Sequence, residues 1–77
     1  MKTNNNSIKL IMIRVEKFDG SWYILKRCRS MKDAKELAQE ISKTHHDEAK
    51  AEKTNKYDEN LESYYYRNGE LTESYIF

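Results

Sequence analysis

The chain has 77 residues, of which 38% are hydrophobic and 35% are charged, and its formal net charge is +1. A chain of this length forms at most one domain, and no apolar run is long enough for a membrane-spanning helix. Its single cysteine, Cys28, cannot form an internal disulfide, and no Cys/His set has zinc-site spacing. The first residues lack the apolar stretch of a signal peptide, so a cytoplasmic protein is predicted.

The near-zero net charge conceals an uneven distribution. Residues 1–43 contain ten Lys/Arg and five Asp/Glu, whereas residues 44–77 contain four and eight. Either the two halves attract each other in the fold or simply present solvated faces, or the surface is bipolar with a basic patch for one partner. Abundant Lys, Asn, Ile and Tyr are encoded by AT-rich codons, which suggests a small gene from a bacterium, a phage or a mobile element.

Residues 1–7 are predicted to be a disordered tail, and residues 8–77 a single small domain. The runs "IKLIMIRVEKF" and "SWYILKRCR" flank Asp19-Gly20, a pair typical of a two-residue type I′ hairpin turn. With that turn, Lys17 faces Trp22, and alternation gives the ribbon two faces. The predicted core face contains Ile11, Ile13, Val15, Trp22, Ile24 and Cys28. The other face, the predicted outer face, contains Met12, Arg14, Glu16, Phe18, Tyr23, Leu25 and Arg27.

A helix is predicted to follow, with Ser30 and Asp33 in a capping-box-like arrangement. Apolar residues then recur at helical spacing, at Met31, Ala34, Leu37, Ala38 and Ile41. No glycine or proline marks the end of this helix. Either it continues to about residue 54, or Thr44 and Asp47 cap a separate short helix; we expect helix with a break near Thr44. The segment "NKYDEN" then reads as a turn.

Asn68-Gly69 is a second type I′ signal, and it places Tyr66 opposite Leu71. Alternation then puts Tyr64, Tyr66, Leu71 and Tyr75 on one face of this ribbon, with Leu61, Tyr65 and Ile76 on the other. A ribbon that is apolar on both sides is expected inside a sheet. The predicted fold is therefore α+β: β-hairpin, one or more helices, β-hairpin, with a four-stranded, mostly antiparallel sheet and a helix packed on one face.

No catalytic set is recognisable. His45 and His46 are adjacent in a charged segment, Cys28 is expected on the core face, and both glycines occupy turns. His45 and Glu48 would be i, i+3 on a helix, but no second pair of ligands is present. The sequence therefore predicts no enzyme activity, no cofactor and no metal.

The aromatic and basic outer face is the strongest functional candidate: Met12, Arg14, Phe18, Tyr23, Leu25 and Arg27. Tyr, Met and Arg are enriched at protein interfaces, so we expect a small protein-interaction module, a regulator or inhibitor of a host protein. The alternatives are single-stranded RNA or DNA stacking on this face, and burial of the face by the chain itself or by a second copy in a homodimer. A second candidate surface is acidic and tyrosine-rich: Tyr64, Tyr66, Glu70, Glu73 and Tyr75.

Overall fold

The computed structural model of the protein describes residues 11–45 and 48–77. Its elements are, in chain order, β1 (Met12–Phe18), β2 (Trp22–Cys28), α1 (Met31–His45), β3 (Glu48–Thr54), β4 (Asn60–Arg67) and β5 (Glu70–Ile76). The strands form one antiparallel sheet in the order β2-β1-β3-β4-β5. The α+β class is confirmed, but the prediction of four strands is wrong, since the described residues contain five. The predicted tail over 1–7 and the domain's start at residue 8 lie outside the described residues.

The helix α1 begins where the sequence predicts it. The Ser30 side-chain oxygen accepts a hydrogen bond from the Asp33 N–H at 3.1 Å, and Asp33 adds a negative charge to the first turn. Three residues of the predicted apolar stripe, Ala34, Ala38 and Ile41, are buried against the sheet. The stripe therefore positions the helix, as its spacing indicates.

The segment after α1 corrects the sequence prediction. We expected helix over much of 44–54, but α1 ends at His45 and residues 48–54 form β3, the central strand of the sheet. Its composition, "EAKAEKT", favours helix by propensity, yet its residues alternate between the two faces of the sheet. Ala49 and Ala51 are completely buried and pack in the core with residues of α1, while Lys50 and Glu52 point to the opposite face. Pairing with β1 and β4 thus overrides local propensity.

The first hairpin has a longer loop than predicted. Phe18 pairs with Trp22, so the loop contains Asp19, Gly20 and Ser21, and only Gly20 has a positive φ, of 84°. This loop is one residue longer than a type I′ turn. A slip of one residue exchanges the faces of a strand, so Trp22 leaves the predicted core face and Tyr23, paired with Lys17, leaves the predicted outer face.

A β-bulge then restores the predicted alternation. The register shifts between Val15 and Glu16, because Val15 pairs with Lys26 whereas Glu16 pairs with Ile24. Leu25 is the extra residue of this bulge. Beyond it, Cys28 pairs with Ile13 and packs against the core on the helix side, as predicted.

The second hairpin confirms the predicted turn. Asn68 and Gly69 both have positive φ, of 52° and 81°, and Arg67 pairs with Glu70 across them. A register shift between Tyr65 and Tyr66 leaves Thr72 as a bulge residue. The shift moves Tyr75 opposite Ser63, so the prediction that Tyr75 shares a face with Tyr66 is wrong.

The turn of this hairpin is attached to α1 by hydrogen bonds. The Gly69 N–H donates to the Ser42 hydroxyl at 2.9 Å, and the Gln39 side-chain amide donates to the Gly69 carbonyl at 2.8 Å. The β4–β5 ribbon is therefore fixed to the helix at its turn. It does not sit inside the sheet as expected, because β5 is an outermost strand.

The core between α1 and the sheet is thin. Its buried hydrophobic residues, among those described, are Val15, Ala34, Ala38, Ile41, Ala49, Ala51 and Tyr66. Alanines from the helix and from β3 let the two layers approach closely, and Tyr66 is the only aromatic ring in this described set. Most of the large aromatic side chains must therefore lie elsewhere.

Within residues 11–45 and 48–77, the helix is too short and too polar to cross a bilayer.

Candidate interaction surface on the sheet

The face of the sheet opposite α1, which we call the open face, is not covered by any element in the described part of the chain. Directly paired residues of antiparallel strands share a face, so the pairing defines its rows. One row from β2 to β5 contains Ile24, Glu16, Lys50, Tyr65 and Glu73. The next row contains Arg27, Arg14, Glu52, Ser63 and Tyr75.

A cluster of opposite charges occupies the centre of these rows. Arg14 Nε lies 2.7 Å from Glu16 Oε2, and its Nη2 lies 3.4 Å from Glu52 Oε1. Lys50 Nζ lies 3.5 Å from Glu52 Oε1 and 3.8 Å from Glu16 Oε1. The remaining guanidinium nitrogen of Arg14 donates to Asp58 Oδ1 at 3.1 Å, from the β3–β4 loop. The four strand residues of the cluster have side chains at most 11% exposed, so the charges neutralise one another largely out of water.

The two carboxyl groups of the cluster differ in acidity. Burial raises the pKa of Glu52, and both the hydrogen bond with Glu16 and the negative charge of Glu16 raise it further. The positive charges of Lys50 and Arg14 act to lower this pKa but do not outweigh the other effects. Burial also acts to raise the pKa of Glu16, but the hydrogen bond with Glu52 and the cations Lys50 and Arg14 bring it below its ordinary value. Acid therefore protonates Glu52 before Glu16.

A chain of ring contacts runs across the open face. Phe18 and Trp22 have ring centroids 5.3 Å apart, Trp22 and Tyr65 are 5.7 Å apart, and Tyr65 and Tyr75 are 5.9 Å apart. Phe77 stacks on Tyr75 at 6.2 Å. We call Phe18, Trp22, Tyr65, Tyr75 and Phe77 the aromatic row. Tilted and edge-to-face contacts of this kind are the arrangements that aromatic rings prefer.

The aromatic row partly covers the charged cluster. Lys50 Nζ lies 4.8 Å from the centroid of the Trp22 ring and 5.3 Å from that of Tyr65. The rings thus help to exclude water from the ion pairs below them. At its two ends the row is accessible, since Phe18 is 37% exposed at one end and Phe77 is 76% exposed at the other.

The structure brings together part of the first predicted site. Met12, Arg14, Phe18 and Arg27 lie on the open face by their pairing. Two members do not: Tyr23 lies on the helix side because of the longer loop, and Leu25 is the bulge residue. A binding role for this set stays a prediction.

The second predicted surface is divided between the two faces. Tyr64 and Tyr66 lie on the helix side, where Tyr66 is buried and packs in the core. Glu70, Glu73 and Tyr75 lie on the open face, and the charge of Glu73 raises the pKa of Tyr75. These five residues therefore do not form one surface.

Three residues of the open face were not predicted to share a surface with Tyr75: Trp22, Ile24 and Tyr65. The signal for Trp22 and Ile24 was the loop, since reading Asp19-Gly20-Ser21 as three residues exchanges the faces of β2. Tyr65 joins them only because β3 lies between β1 and β4. No local pattern indicates that neighbourhood.

On the helix side, an open cleft of about 440 Å³ lies between α1 and β4. Three of its polar residues contact one another, because Tyr64 donates to Glu62 at 2.8 Å and Lys35 lies 4.1 Å from the centroid of the Tyr64 ring. The hydrogen bond to Glu62 raises the pKa of Tyr64. No group of three or more His, Cys, Asp or Glu among the described residues is arranged to hold a metal ion. His46 lies outside them.

Comparison with known proteins gives no relative: no family model, no curated protein and no solved structure matches this chain.

Proposed function

We propose that the protein is a small, non-enzymatic interaction module that binds another protein through its open face. The observation that carries this proposal is the aromatic row, which places large rings on the face opposite the helix while alanines fill the core. Exposed aromatic residues beside arginine are characteristic of protein interfaces. A small regulator or inhibitor of a host protein, carried by a phage or a mobile element, is the role we propose for such a module.

The charges of the open face favour a protein partner over a nucleic acid. Phosphate binding requires available cations, and most of the affinity of nucleic-acid binders comes from them. Here Arg14 and Lys50 are engaged with Glu16 and Glu52, and Arg67 is hydrogen-bonded to Glu48. Carboxylates thus neutralise three cations of this face, and Arg27 is the exposed cation of β2 that remains to attract a phosphate backbone.

Binding of single-stranded RNA or DNA is the second candidate, because the same aromatic row favours it. Rings on a sheet can stack on bases with about 1–3 kcal/mol for each base. Titration with labelled oligonucleotides at two salt concentrations separates the candidates. The protein-partner proposal predicts no binding at either concentration, whereas binding that weakens steeply with salt would favour the nucleic acid.

The proposal itself is tested by capture of proteins from a host lysate on immobilised protein, with three forms compared. Wild type is expected to retain a specific protein, and Tyr75→Ala to lose at least about 1 kcal/mol of that binding. Tyr57→Ala is the matched control, because Tyr57 is 70% exposed but lies in the β3–β4 loop, outside the aromatic row. Equal retention by all three forms would contradict a binding role for the row.

A further inference from the structure

We infer that Asn68 is a site of spontaneous deamidation, and that the hydrogen bond from the Gly69 N–H to Ser42 controls the rate of this reaction. Deamidation converts asparagine into aspartate or isoaspartate without an enzyme. It is fastest where glycine follows asparagine, because no side chain then shields the backbone nitrogen that attacks the asparagine amide. Asn68-Gly69 is the one such pair in the sequence, and Asn68 is exposed to water.

The reaction consumes water and releases ammonia. The Gly69 nitrogen loses its proton to water and forms a bond with Cγ, the side-chain carbonyl carbon of Asn68. The amide group of that side chain takes up a proton and leaves as ammonia, which closes a five-membered succinimide ring. Water then opens the ring. Attack on Cγ gives aspartate, and attack on the backbone carbonyl carbon gives isoaspartate. No group is oxidised or reduced, so water is the only co-reactant.

The conformation of Asn68 in the turn prevents closure of the succinimide ring. Its φ is 52°, in the left-handed region, where ψ is about +47°. This ψ places the Gly69 nitrogen on the opposite side of the Cα–C bond from the Asn68 Cβ, whereas the ring needs both atoms on the same side. Because the peptide group between the two residues is planar, closure requires the whole group to turn over about that bond.

A buried hydroxyl holds this peptide group in place. The Gly69 N–H donates to Ser42 Oγ at 2.9 Å, and Ser42 is completely buried. The Ser42 hydroxyl in turn donates to the Gln39 carbonyl at 2.9 Å, so its oxygen accepts from Gly69 in a fixed orientation. Turning the peptide group over breaks the bond to Ser42, and so does the loss of the Gly69 proton. The hydrogen bond therefore opposes both requirements of the reaction.

A second hydrogen bond holds the neighbouring peptide group. Gln39 Nε2 donates to the Gly69 carbonyl at 2.8 Å. This carbonyl does not belong to the peptide group that must turn over, so the loss of this bond should act less directly than the loss of the bond to Ser42. Both bonds exist only while the turn is docked on α1. Deamidation therefore proceeds from molecules in which the turn has left the helix, which is a local opening of the fold.

The reaction would alter the second hairpin permanently. Isoaspartate adds one carbon atom to the main chain, so the loop no longer fits the pairing of Arg67 with Glu70 across it. Aspartate keeps the length of the chain but adds a negative charge close to Glu70. The strand β5, which follows this turn, contains Tyr75 of the aromatic row. An opening of the turn is thereby converted into a lasting change at one side of the open face.

The test measures the deamidation rate by mass spectrometry of the tryptic peptide 68–77, in which Asn68 is the one asparagine. Reversed-phase chromatography separates the aspartate and isoaspartate products. Native wild type is expected to react at least about tenfold more slowly than the chain unfolded in guanidinium chloride. Ser42→Ala is expected to react about three- to tenfold faster than native wild type, and Gln39→Ala at least about twofold faster.

Gly20→Val is the matched control, because it strains the first hairpin and leaves the second turn and its bonds to α1 unchanged. Its deamidation rate should stay within about twofold of wild type. An acceleration as large as that of Ser42→Ala would show that the reaction requires global unfolding, and would overturn the inference.

Two further results would overturn it: native wild type reacting as fast as the unfolded chain, or folded Ser42→Ala reacting no faster than wild type. Circular dichroism verifies that each variant is folded. If Ser42→Ala does not fold, Gln39→Ala takes its place, because Gln39 is exposed on α1. A rate in Gln39→Ala equal to that of wild type would then overturn the inference.

Discussion

The two faces of the sheet differ in the size and charge of their side chains. The face under α1 contains small residues, Ala49 and Ala51 from β3, and it is closed by Ala38 and Ile41 of the helix. The open face contains the aromatic row and a neutral cluster of charges. The difference indicates that the helix side holds the fold together by close packing of small side chains, while most of the large aromatic side chains lie on the face that no described element covers.

The largest effect should come from shortening an apolar side chain on the helix side. Ile41 is only 7% exposed, and Ile41→Ala removes buried methyl groups and leaves a cavity, at a cost of about 2–5 kcal/mol in the free energy of unfolding. In a domain this small, that loss could abolish folding. Urea denaturation measures it, with Lys32→Ala as the control because Lys32 is exposed on the same helix. An equal loss in both variants would show that the helix stripe is wrongly assigned.

The turns should give the next largest effect, and they allow a matched comparison. Gly20 and Gly69 have φ of 84° and 81°, a region in which a β-branched side chain is strained by about 1–2 kcal/mol. Gly20→Val should cost that amount alone, since no atom lies within 4 Å of the added Cβ. Gly69→Val should cost more, since its Cβ would lie 3.2 Å from the Lys43 side chain. If the denaturant midpoints of both variants equal that of wild type, the assignment of Gly20 and Gly69 to hairpin turns is wrong.

The smallest effect concerns the charged cluster of the open face. The pKa of Glu52 is raised on folding, so its contribution to stability falls as the pH rises through and above its ordinary value of 4.5. The pKa of Glu16 is lowered, so its contribution rises with pH just below that value. Glu52→Gln keeps a hydrogen-bond donor for Glu16 but cannot ionise.

We therefore expect Glu52→Gln to gain stability relative to wild type as the pH rises from acid to neutral. Urea midpoints at a series of pH values measure this difference. A variant that instead loses stability relative to wild type toward neutral pH would mean that Glu52, rather than Glu16, is the carboxylate held ionised by Arg14 and Lys50.

The parts of the fold that local chemistry determines were predictable. Ser30 and the apolar stripe of α1 set the start and the face of the helix, and Asn68-Gly69 determines its turn because both residues adopt a positive φ. The central strand β3 was not predictable in this way. Its alanine, lysine and glutamate favour helix, and only pairing on both sides makes it a strand.

The candidate surface was predictable only in part, because one inserted residue changes the face of the sheet on which the following side chains lie. One extra residue in the first loop moved Trp22 and Tyr23 to opposite faces, and one bulge residue, Leu25, returned Arg27 to the predicted face. Arg14 was assigned correctly to the face opposite the helix. Its carboxylate partners Glu52 and Asp58 lie in β3 and in the loop after it. The charged cluster was therefore not predictable, because that segment was expected to be helix.

The division between the two faces is tested most directly by removing the same ring from each. Tyr66 and Tyr75 lie on neighbouring strands, but Tyr66 is 6% exposed under α1 and Tyr75 is 43% exposed on the open face. The free energy of unfolding is measured in dilute protein, where association does not contribute. We predict that Tyr66→Ala costs about 3–5 kcal/mol and Tyr75→Ala about 1 kcal/mol or less. Equal losses in the two variants would contradict the account, because the open face would then be part of the monomer's own core.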